Sequence, residues 1–296
     1  MPKSPSPGLV LAVASPLAFS LFNAGVRVIS EEMTVFGLLL LRGWTGVVLV
    51  CLASCFLRRL PWANQPGFLC LIGFLGALST VFTTSAFTMV PLYQAVVILY
   101  LYPSQSVVLS AIINREGVGA RDIAGVLVAF AGCVVLVWPS GATGLGLRLG
   151  HLLAFAGGGL YALSIVLTRR LGQGNRGLEP IFFYSLFAGL SALPLAFLAG
   201  QGLGLDSLAE AGRGSLLGLL GSSAQLLAYL ALRYLPPFKV GVIGSLEILG
   251  SALFSLLFFD DRLGLQSLVG GIMIIYAAFG FHHTPKAPPL AGQGQG

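Results

Sequence analysis

The chain is 296 residues long and strongly apolar, with 56% hydrophobic residues, 9% charged residues and a mean hydropathy of +0.92. A soluble domain carries charge at about a quarter of its positions, so a soluble globular fold is excluded and the excess apolar surface must face lipid. The net charge of +6 would suggest nucleic-acid binding in a soluble chain. Here the basic residues fall in short loops, where membrane topology explains them, and we expect no nucleic-acid partner.

Ten apolar runs of membrane-spanning length follow one another along the chain. They cover approximately residues 8–27, 33–57, 66–88, 92–113, 120–138, 149–168, 179–199, 213–234, 238–259 and 264–281. Each is near the ~20 residues that cross about 30 Å of hydrocarbon. Prolines and glycines separate the runs. The sequence therefore predicts an all-α integral membrane protein with ten transmembrane helices.

The segments outside these runs are short. We expect residues 1–7 to form an N-terminal tail, residues 139–148 a linker, and residues 282–296, which are rich in Pro, Gly and Gln, a disordered tail. The first apolar run is a retained helix and not a signal peptide. The four cysteines lie in apolar runs without a CxxC or Cys/His cluster, so we predict neither a disulfide framework nor a metal site. We also expect no cofactor.

Lysine and arginine alternate between two sets of loop ends. One set holds Lys3, Arg58, Arg59, Arg115, Arg121, Arg169, Arg170, Arg176, Arg233, Lys239 and Lys286, and the other holds Arg27, Arg148, Arg213 and Arg262. The positive-inside rule assigns the larger set to the cytoplasm. We therefore predict a multi-pass protein of the inner (plasma) membrane with both termini in the cytoplasm.

The two halves of the chain resemble each other at polar and proline positions as well as at apolar ones. At a shift of 145 residues, or 142 near the N-terminus, the aligned pairs include Pro91 with Pro236, Glu116 with Asp261, Gly125 with Gly270 and Arg27 with Arg169. Each half, 8–138 and 149–281, then holds five helices, and the odd number inserts the second half upside down. Inverted repeats are typical of secondary transporters, whose substrate site lies at the repeat interface near the midplane. Chance similarity among Leu/Gly/Ala-rich helices is the alternative.

Three features occur together along nearly the whole chain. They are Arg42 in the second helix, the stretch from Ala86 through Pro103 to Glu116 and Gly125, and Glu247 followed by Asp261, Arg262 and Gly270. This combination resembles the drug/metabolite transporter superfamily, in its EamA-type ten-helix form. The family often has Glu-Pro in the ninth helix, where this chain has Glu247-Ile248, and it usually has Glu at the position of Asp261. The resemblance implies a bundle with a central cavity that carries a metabolite, and it does not identify the substrate.

Arg42 and Glu247 are charged residues at membrane depth. At 1.5 Å per residue, each lies about 14 Å from the end at which its helix enters the membrane, so the two reach nearly the same level of a ~30 Å core. A charge there costs roughly 2.5–3.5 kcal/mol on insertion scales. Three interpretations remain open: pathway lining as an ion pair or as substrate contacts, a fixed structural pair, or an Arg42 side chain that extends to the surface.

Other polar residues within the apolar runs are candidates for lining the same pathway. They are Asn23, Gln94, Tyr100, Tyr102, Gln225 and Tyr229. Tyr102 is the strongest of them because it occupies the repeat position of Glu247, and a packing or interfacial role is the alternative for each. Glu116 and Asp261 stand beside arginines at the starts of loops, and we predict that they are structural carboxylates that cap or pair.

The predicted function is secondary transport, in the direction of export, of a small polar or zwitterionic metabolite such as an amino acid. Alternating access through a central cavity between the repeats is the expected mechanism. The chain has no HExxH, no GxSxG and no Gly-Lys phosphate loop, so we expect neither an enzyme nor an ATPase. A membrane-embedded enzyme and a non-transporting assembly protein are the alternatives. Proton coupling through Glu247 and uncoupled flow both remain open, as do a monomer and a homodimer.

Overall fold

A computed structural model describes residues 5–57, 65–113, 117, 119–138, 147–170, 178–231, 234–235, 240, 243–261 and 264–280. The helices of this part are α1 (Pro5–Ile29), α2 (Val35–Leu57), α3 (Pro66–Met89), α4 (Leu92–Leu99), α5 (Tyr102–Ile113), α6 (Ala120–Val137), α7 (Leu149–Arg170), α8 (Glu179–Leu198), α9 (Leu208–Ala231), α10 (Leu246–Phe258) and α11 (Leu265–Gly280). No strand occurs among the described residues. Most of the predicted linker 139–148, the predicted tail 282–296 and Glu116 lie outside them.

The described helices overlap the predicted apolar runs. Seven segments have the length and hydropathy needed to cross a bilayer, and one of these is formed by α4 and α5 together, as Leu92–Ile113. The second half adds two shorter apolar helices, Leu246–Phe258 and Leu265–Ala277. An all-helical, multi-pass membrane fold is therefore confirmed for the part of the chain that the structure describes. The ten-helix inverted repeat stays a prediction.

Helix α9 begins at Leu208, five residues before the predicted start of the eighth span at residue 213. The Ser207 hydroxyl accepts a hydrogen bond from the Glu210 N–H at 3.2 Å, and the Glu210 carboxylate accepts one from the Ser207 N–H at 3.1 Å. This reciprocal capping box satisfies backbone N–H groups that a helix start otherwise leaves free. It extends the helix across a polar stretch that hydropathy alone left outside the span.

The predicted fourth span is broken at Tyr100 into α4 and α5. Pro103 has no N–H to donate to the Leu99 carbonyl four residues earlier, and its ring crowds that carbonyl. Gly158 of α7 approaches there, and a Cβ on it would lie 3.1 Å from the Leu99 oxygen. Tyr100 and Tyr102 consequently stand at adjoining helix ends and not within one continuous helix from 92 to 113.

The most extensive helix contacts join the first half of the chain to the second. Helix α1 packs on α9 and α10, α2 on α8 and α9, α3 on α7 and α8, α4 and α5 on α7, and α6 on α11. This scheme of contacts is unchanged when the two halves are exchanged. For example, α1 then takes the place of α7 and α9 that of α3, so the α1–α9 contact becomes the α7–α3 contact. The interior of the bundle is therefore an interface between the two predicted repeats, where a secondary transporter holds its substrate site.

Large apolar side chains stand exposed on the outside of the bundle. Phe56 is 88% exposed, Phe197 86% and Leu208 91%. Alanines and serines occupy many of the buried positions instead, including Ala77, Ala188 and Ser185. Soluble proteins have the opposite distribution, with large apolar side chains inside. Small residues lie inside a membrane protein because helices in lipid associate through close packing.

Helix α2 is wedged between α8 and α9 at two glycines. A Cβ on Gly43 would lie 2.1 Å from the backbone nitrogen of Gly189, and a Cβ on Gly218 would lie 2.7 Å from the Cα of Arg42. Both contacts are with backbone atoms, which cannot move aside as a flexible side chain can. These close approaches fix the position of Arg42 within the bundle.

Replacing Gly43 by alanine is expected to lower the free energy of unfolding by about 1–3 kcal/mol, because the added methyl overpacks the contact with α8. Gly212→Ala is the matched control, since nothing lies within 4 Å of its added Cβ. The control should be neutral or slightly stabilising, because alanine is the better helix former. Thermal unfolding of both variants in detergent checks this expectation, and equal shifts would contradict the proposed close packing.

Candidate substrate site

Glu247 lies in the first turn of α10, where this helix crosses α1 at close range. A Cβ on Gly250 would lie 2.3 Å from the Ser20 hydroxyl oxygen, so only glycine permits this approach. The Ser20 hydroxyl also donates to the Glu247 backbone carbonyl at 3.1 Å. The contact between the two helices brings Glu247 against the buried face of α1 that carries Asn23.

The Glu247 carboxylate is held by two neutral donors. The Asn23 amide donates to Oε1 at 2.8 Å, and the Tyr100 hydroxyl donates to Oε2 at 3.0 Å. The Tyr100 hydroxyl also lies 2.7 Å from the Gly244 carbonyl. No lysine or arginine of the described residues forms an ion pair with this carboxylate. Its position is therefore fixed by hydrogen bonds to neutral groups and not by an ion pair with a described residue.

Aromatic rings extend from this carboxylate along one side of the site. The centroids of Tyr100 and Tyr102 are 5.8 Å apart, and Tyr102 meets Tyr161 of α7 edge to face at 5.0 Å. Edge-to-face pairs of this kind hold both rings in defined orientations. Tyr161 is 41% exposed although it lies in the middle of a membrane-spanning helix. We infer that these rings border the space next to Glu247.

Arg42 is 7% exposed and its guanidinium is faced by two aromatic rings. Its Cζ lies 4.6 Å from the ring centroid of Phe22 and 5.7 Å from that of Tyr184. Tyr184 is itself positioned by a hydrogen bond to Thr80. The guanidinium makes no hydrogen bond or ion pair with any described residue, and its Nε is buried without a partner. Arg42 is thus a buried cation without an ion pair to any described residue.

These contacts bear on the three interpretations of the two membrane-depth charges. Arg42 and Glu247 are close enough for the charge of one to act on the other, but no ion pair joins them among the described residues. The burial of Arg42 is inconsistent with a side chain that extends to the surface. The geometry favours two separate, opposite charges at the interface of the halves.

The other predicted pathway residues make different contacts. The Gln94 side chain carbonyl is 2.9 Å from His151 Nε2, and its amide donates to the Tyr93 hydroxyl at 3.1 Å. Tyr229 packs with Val50, Leu178, Ile181 and Leu226. Gln225 is half-buried in α9 and makes no hydrogen bond to a described residue. Of the eight predicted pathway residues, the structure brings together Asn23, Tyr100, Tyr102 and Glu247, with Arg42 nearby.

Asp261, predicted to be a structural carboxylate, pairs with Arg27 of α1. The second contact of this pair, from Arg27 Nη2 to Asp261 Oδ1, measures 3.3 Å. One partner is therefore an arginine of the other half, and the neighbouring Arg262 lies outside the described residues. Glu116 lies outside them as well, so its predicted role stays a prediction.

Sequence reasoning missed three aromatic residues of the site, Phe22, Tyr161 and Tyr184. All three lie in apolar runs where aromatic residues also face lipid, so hydropathy gives no reason to select them. The repeat offers one signal, because at a shift of 142 to 145 residues Arg42 aligns with the stretch from Tyr184 to Phe187. Two apolar grooves, of about 400 and 530 Å³, open elsewhere on the bundle and include neither Arg42 nor Glu247.

The chain is similar to known membrane transporters along nearly its whole length. The EamA-like transporter family matches residues 6–138 and again residues 148–281. Solute carrier family 35 member G1 of Mus musculus is 24% identical over 94% of this chain and 79% of the relative. The pseudopaline exporter CntI of Pseudomonas aeruginosa (strain UCBPP-PA14) is 25% identical over 94% of this chain and 97% of the exporter. A crystal structure 20% identical in sequence shares the fold, with a TM-score of 0.60 over 93% of this chain and 96% of that one.

Tyr100→Phe is expected to lower the free energy of unfolding by about 1–3 kcal/mol, because the Glu247 carboxylate and the Gly244 carbonyl lose the hydroxyl that they share. Tyr161→Phe is the matched control. Its hydroxyl has no described hydrogen-bond partner, and the substitution keeps the edge-to-face contact with Tyr102. Thermal unfolding of the two variants in detergent compares them. A Tyr100→Phe shift no larger than that of the control would contradict the hydrogen bond to Glu247.

Proposed function

This chain is a membrane transporter that belongs to the EamA-like transporter family, and from that premise we propose that it is a secondary transporter that exports a small zwitterionic metabolite such as an amino acid. The proposed mechanism is alternating access at the interface of two inverted five-helix repeats, 8–138 and 149–281. The family match to two separate ranges and the exchange symmetry of the helix contacts support this organisation. The proposed location is the inner membrane, with both termini in the cytoplasm.

The observation that carries the proposal is the presence of two opposite charges at the interface of the halves, neither of which forms an ion pair with a described residue. Arg42 is buried between aromatic rings, and Glu247 is held by the neutral donors Asn23 and Tyr100. An unpaired charge in a low-dielectric interior is costly. A ligand that carries a carboxylate and an ammonium group compensates both charges at once, whereas a ligand without charged groups compensates neither.

The surrounding residues suit such a ligand. The Arg42 guanidinium offers N–H donors in the planar geometry that matches a carboxylate. The Glu247 carboxylate has lone pairs beyond the two that accept from Asn23 and Tyr100, and these can accept from an ammonium group. Tyr102 and Tyr161 add aromatic surface beside this end of the site, which also favours a cation.

The relatives support a transport function and, in one case, its direction. Solute carrier family 35 member G1 and the pseudopaline exporter are both named as carriers of solutes, and the second is named as an exporter. We propose the same direction for this chain. A membrane-embedded enzyme and a non-transporting assembly protein are the competing classes, and either would leave amino acids unmoved in proteoliposomes that contain the purified protein.

A thermal-shift screen of the purified protein against amino acids tests the substrate class. The amino acid that stabilises most is then compared with its N-acetyl derivative and its carboxamide, each of which removes one charge. We expect wild type to lose the shift with either derivative. Arg42→Gln and Glu247→Gln should each weaken binding of the zwitterion by at least about tenfold, because each leaves one ligand charge unpaired.

Arg213→Gln is the matched control for these variants, since it removes an arginine charge whose side chain is 55% exposed. This variant should bind like wild type. If the N-acetyl derivative or the carboxamide bound as tightly as the amino acid, recognition of a zwitterion would be wrong.

We also propose that Glu247 carries the coupling proton of a substrate/proton exchange. It is a titratable group without a described counterion at the site, so a proton and a cationic ligand group would compete for the same carboxylate. A pH gradient across proteoliposomes should accelerate substrate flux through wild type several-fold. The same gradient should have no effect on substrate flux through Glu247→Gln. Wild-type flux that is insensitive to the gradient would rule out proton coupling and leave an uncoupled exporter.

A further inference from the structure

A polar seam runs along the contact between α1 and α10, from the candidate site toward one end of the bundle. On α10, Glu247, Ser251 and Ser255 are spaced four residues apart and therefore share one helix face. On α1, Asn23 and Arg27 have the same spacing. Asn23 contacts Glu247 and, at 3.5 Å, the Ser251 hydroxyl.

The seam ends in a cluster around the Arg27–Asp261 ion pair. The Asp261 carboxylate also accepts a hydrogen bond from the Ser255 hydroxyl, and its backbone N–H donates to the Ser255 carbonyl at 3.2 Å. The Arg27 guanidinium lies 4.5 Å from the ring centroid of Phe259. The side chains of Arg27 and Asp261 are 24% and 9% exposed. Because charged hydrogen bonds strengthen away from water, this pair holds α1 to the loop after α10 more firmly than an exposed pair would.

The cluster joins the two halves at the end that the arginine distribution assigns to the outside. Arg27 belongs to the first half and Asp261 to the second. A second connection at the same end is the Arg213–Glu32 pair at 2.7 Å, whose side chains are 55% and 43% exposed. Exposed pairs of this kind contribute little, about 0–1 kcal/mol. The Arg27–Asp261–Ser255 cluster is thus the stronger link between the halves above the site.

The repeat supplies a counterpart for each member of this cluster. At the shift of 145 residues Ser110 corresponds to Ser255 and Glu116 to Asp261, and Arg169 corresponds to Arg27 at the shift of 142. Ser110 is 4% exposed, and its hydroxyl has no hydrogen-bond partner among the described residues, whereas the Ser255 hydroxyl donates to Asp261. Glu116, the counterpart of Asp261, lies outside the described residues.

We propose that Arg27, Asp261 and Ser255 form an outer gate, which is closed in this structure and must open for the site to exchange substrate with the outside. The proposal rests on alternating access at the Arg42–Glu247 site. In the closed gate, α1 and α10 remain in contact along the whole seam, and Ser251 lies behind the ion pair, between it and Glu247. Separation of Arg27 from Asp261 frees this end of α1 from α10 and admits water to the seam.

Cysteine accessibility tests the gate without knowledge of the substrate. The reporter is Ser251→Cys, in a background where Cys51, Cys55, Cys70 and Cys133 are replaced by serine. A membrane-impermeant maleimide is added to intact cells or to inverted vesicles, and the initial labelling rate is measured. With the gate intact we expect slow labelling from outside, since Ser251 is fully buried.

Asp261→Asn and Ser255→Ala, each combined with the reporter, are expected to raise the labelling rate from outside by about fivefold or more, the lower range of coupled conformational shifts. Glu32→Gln is the matched control, since it breaks only the exposed pair with Arg213. The charge exchange Arg27→Asp with Asp261→Arg should restore slow labelling, which separates loss of the pair from misfolding. All variants are first checked for a monodisperse elution profile.

Unchanged labelling in Asp261→Asn, or an equal rise in Glu32→Gln, would overturn the gate. A rise confined to inverted vesicles would overturn its assignment to the outer face. None of these results bears on whether Arg42 and Glu247 bind a zwitterion, because the labelling assay contains no substrate.

Discussion

The interior of this protein is organised around a carboxylate held at membrane depth without a described counterion. Asn23 and Tyr100 supply the two hydrogen bonds of Glu247, and each donor depends on a particular backbone feature. Asn23 reaches the carboxylate because Gly250 lets α10 approach α1. Tyr100 reaches it because Pro103 ends the pairing of the preceding helix. A continuous fourth helix or a bulkier α10 would leave the charge without its donors.

The opposite charge is placed by an independent set of contacts. Gly43 and Gly218 bring α2 against α8 and α9, and Arg42 then points its guanidinium at Phe22 and Tyr184. Aromatic faces stabilise a cation by only about 0.5–2 kcal/mol, less than the cost of removing it from water. The described contacts therefore compensate the two charges only in part. The proposed zwitterionic substrate would complete both, in a site whose net charge it does not change.

Sequence reasoning reaches properties that depend on one helix, and it does not reach those that depend on how helices face each other. Hydropathy and 1.5 Å per residue are enough to select Arg42 and Glu247 as charges at membrane depth. Gln94 was selected as a polar residue within an apolar run, whereas its side chain contacts His151 and Tyr93. Tyr229 packs in a different cluster, because no periodicity distinguishes the inner face of a helix that is apolar all round. The early start of α9 could have been predicted from Ser207 and Glu210, which have the spacing of a capping box.

In the proposed mechanism, the site and the gate share one helix contact. Glu247 and Ser255 lie on the same face of α10, two turns apart, while Asn23 and Arg27 lie one turn apart on α1. A ligand or proton that draws Glu247 from Asn23 removes a contact that also holds α1 to α10 near the gate. By thermodynamic linkage, opening of the gate changes the ligand affinity of the site. The factor is the same as the one by which ligand binding changes the equilibrium between the closed and the open gate. A seam that joins two helices from different halves is therefore sufficient to couple occupancy to access, without a separate relay through the bundle.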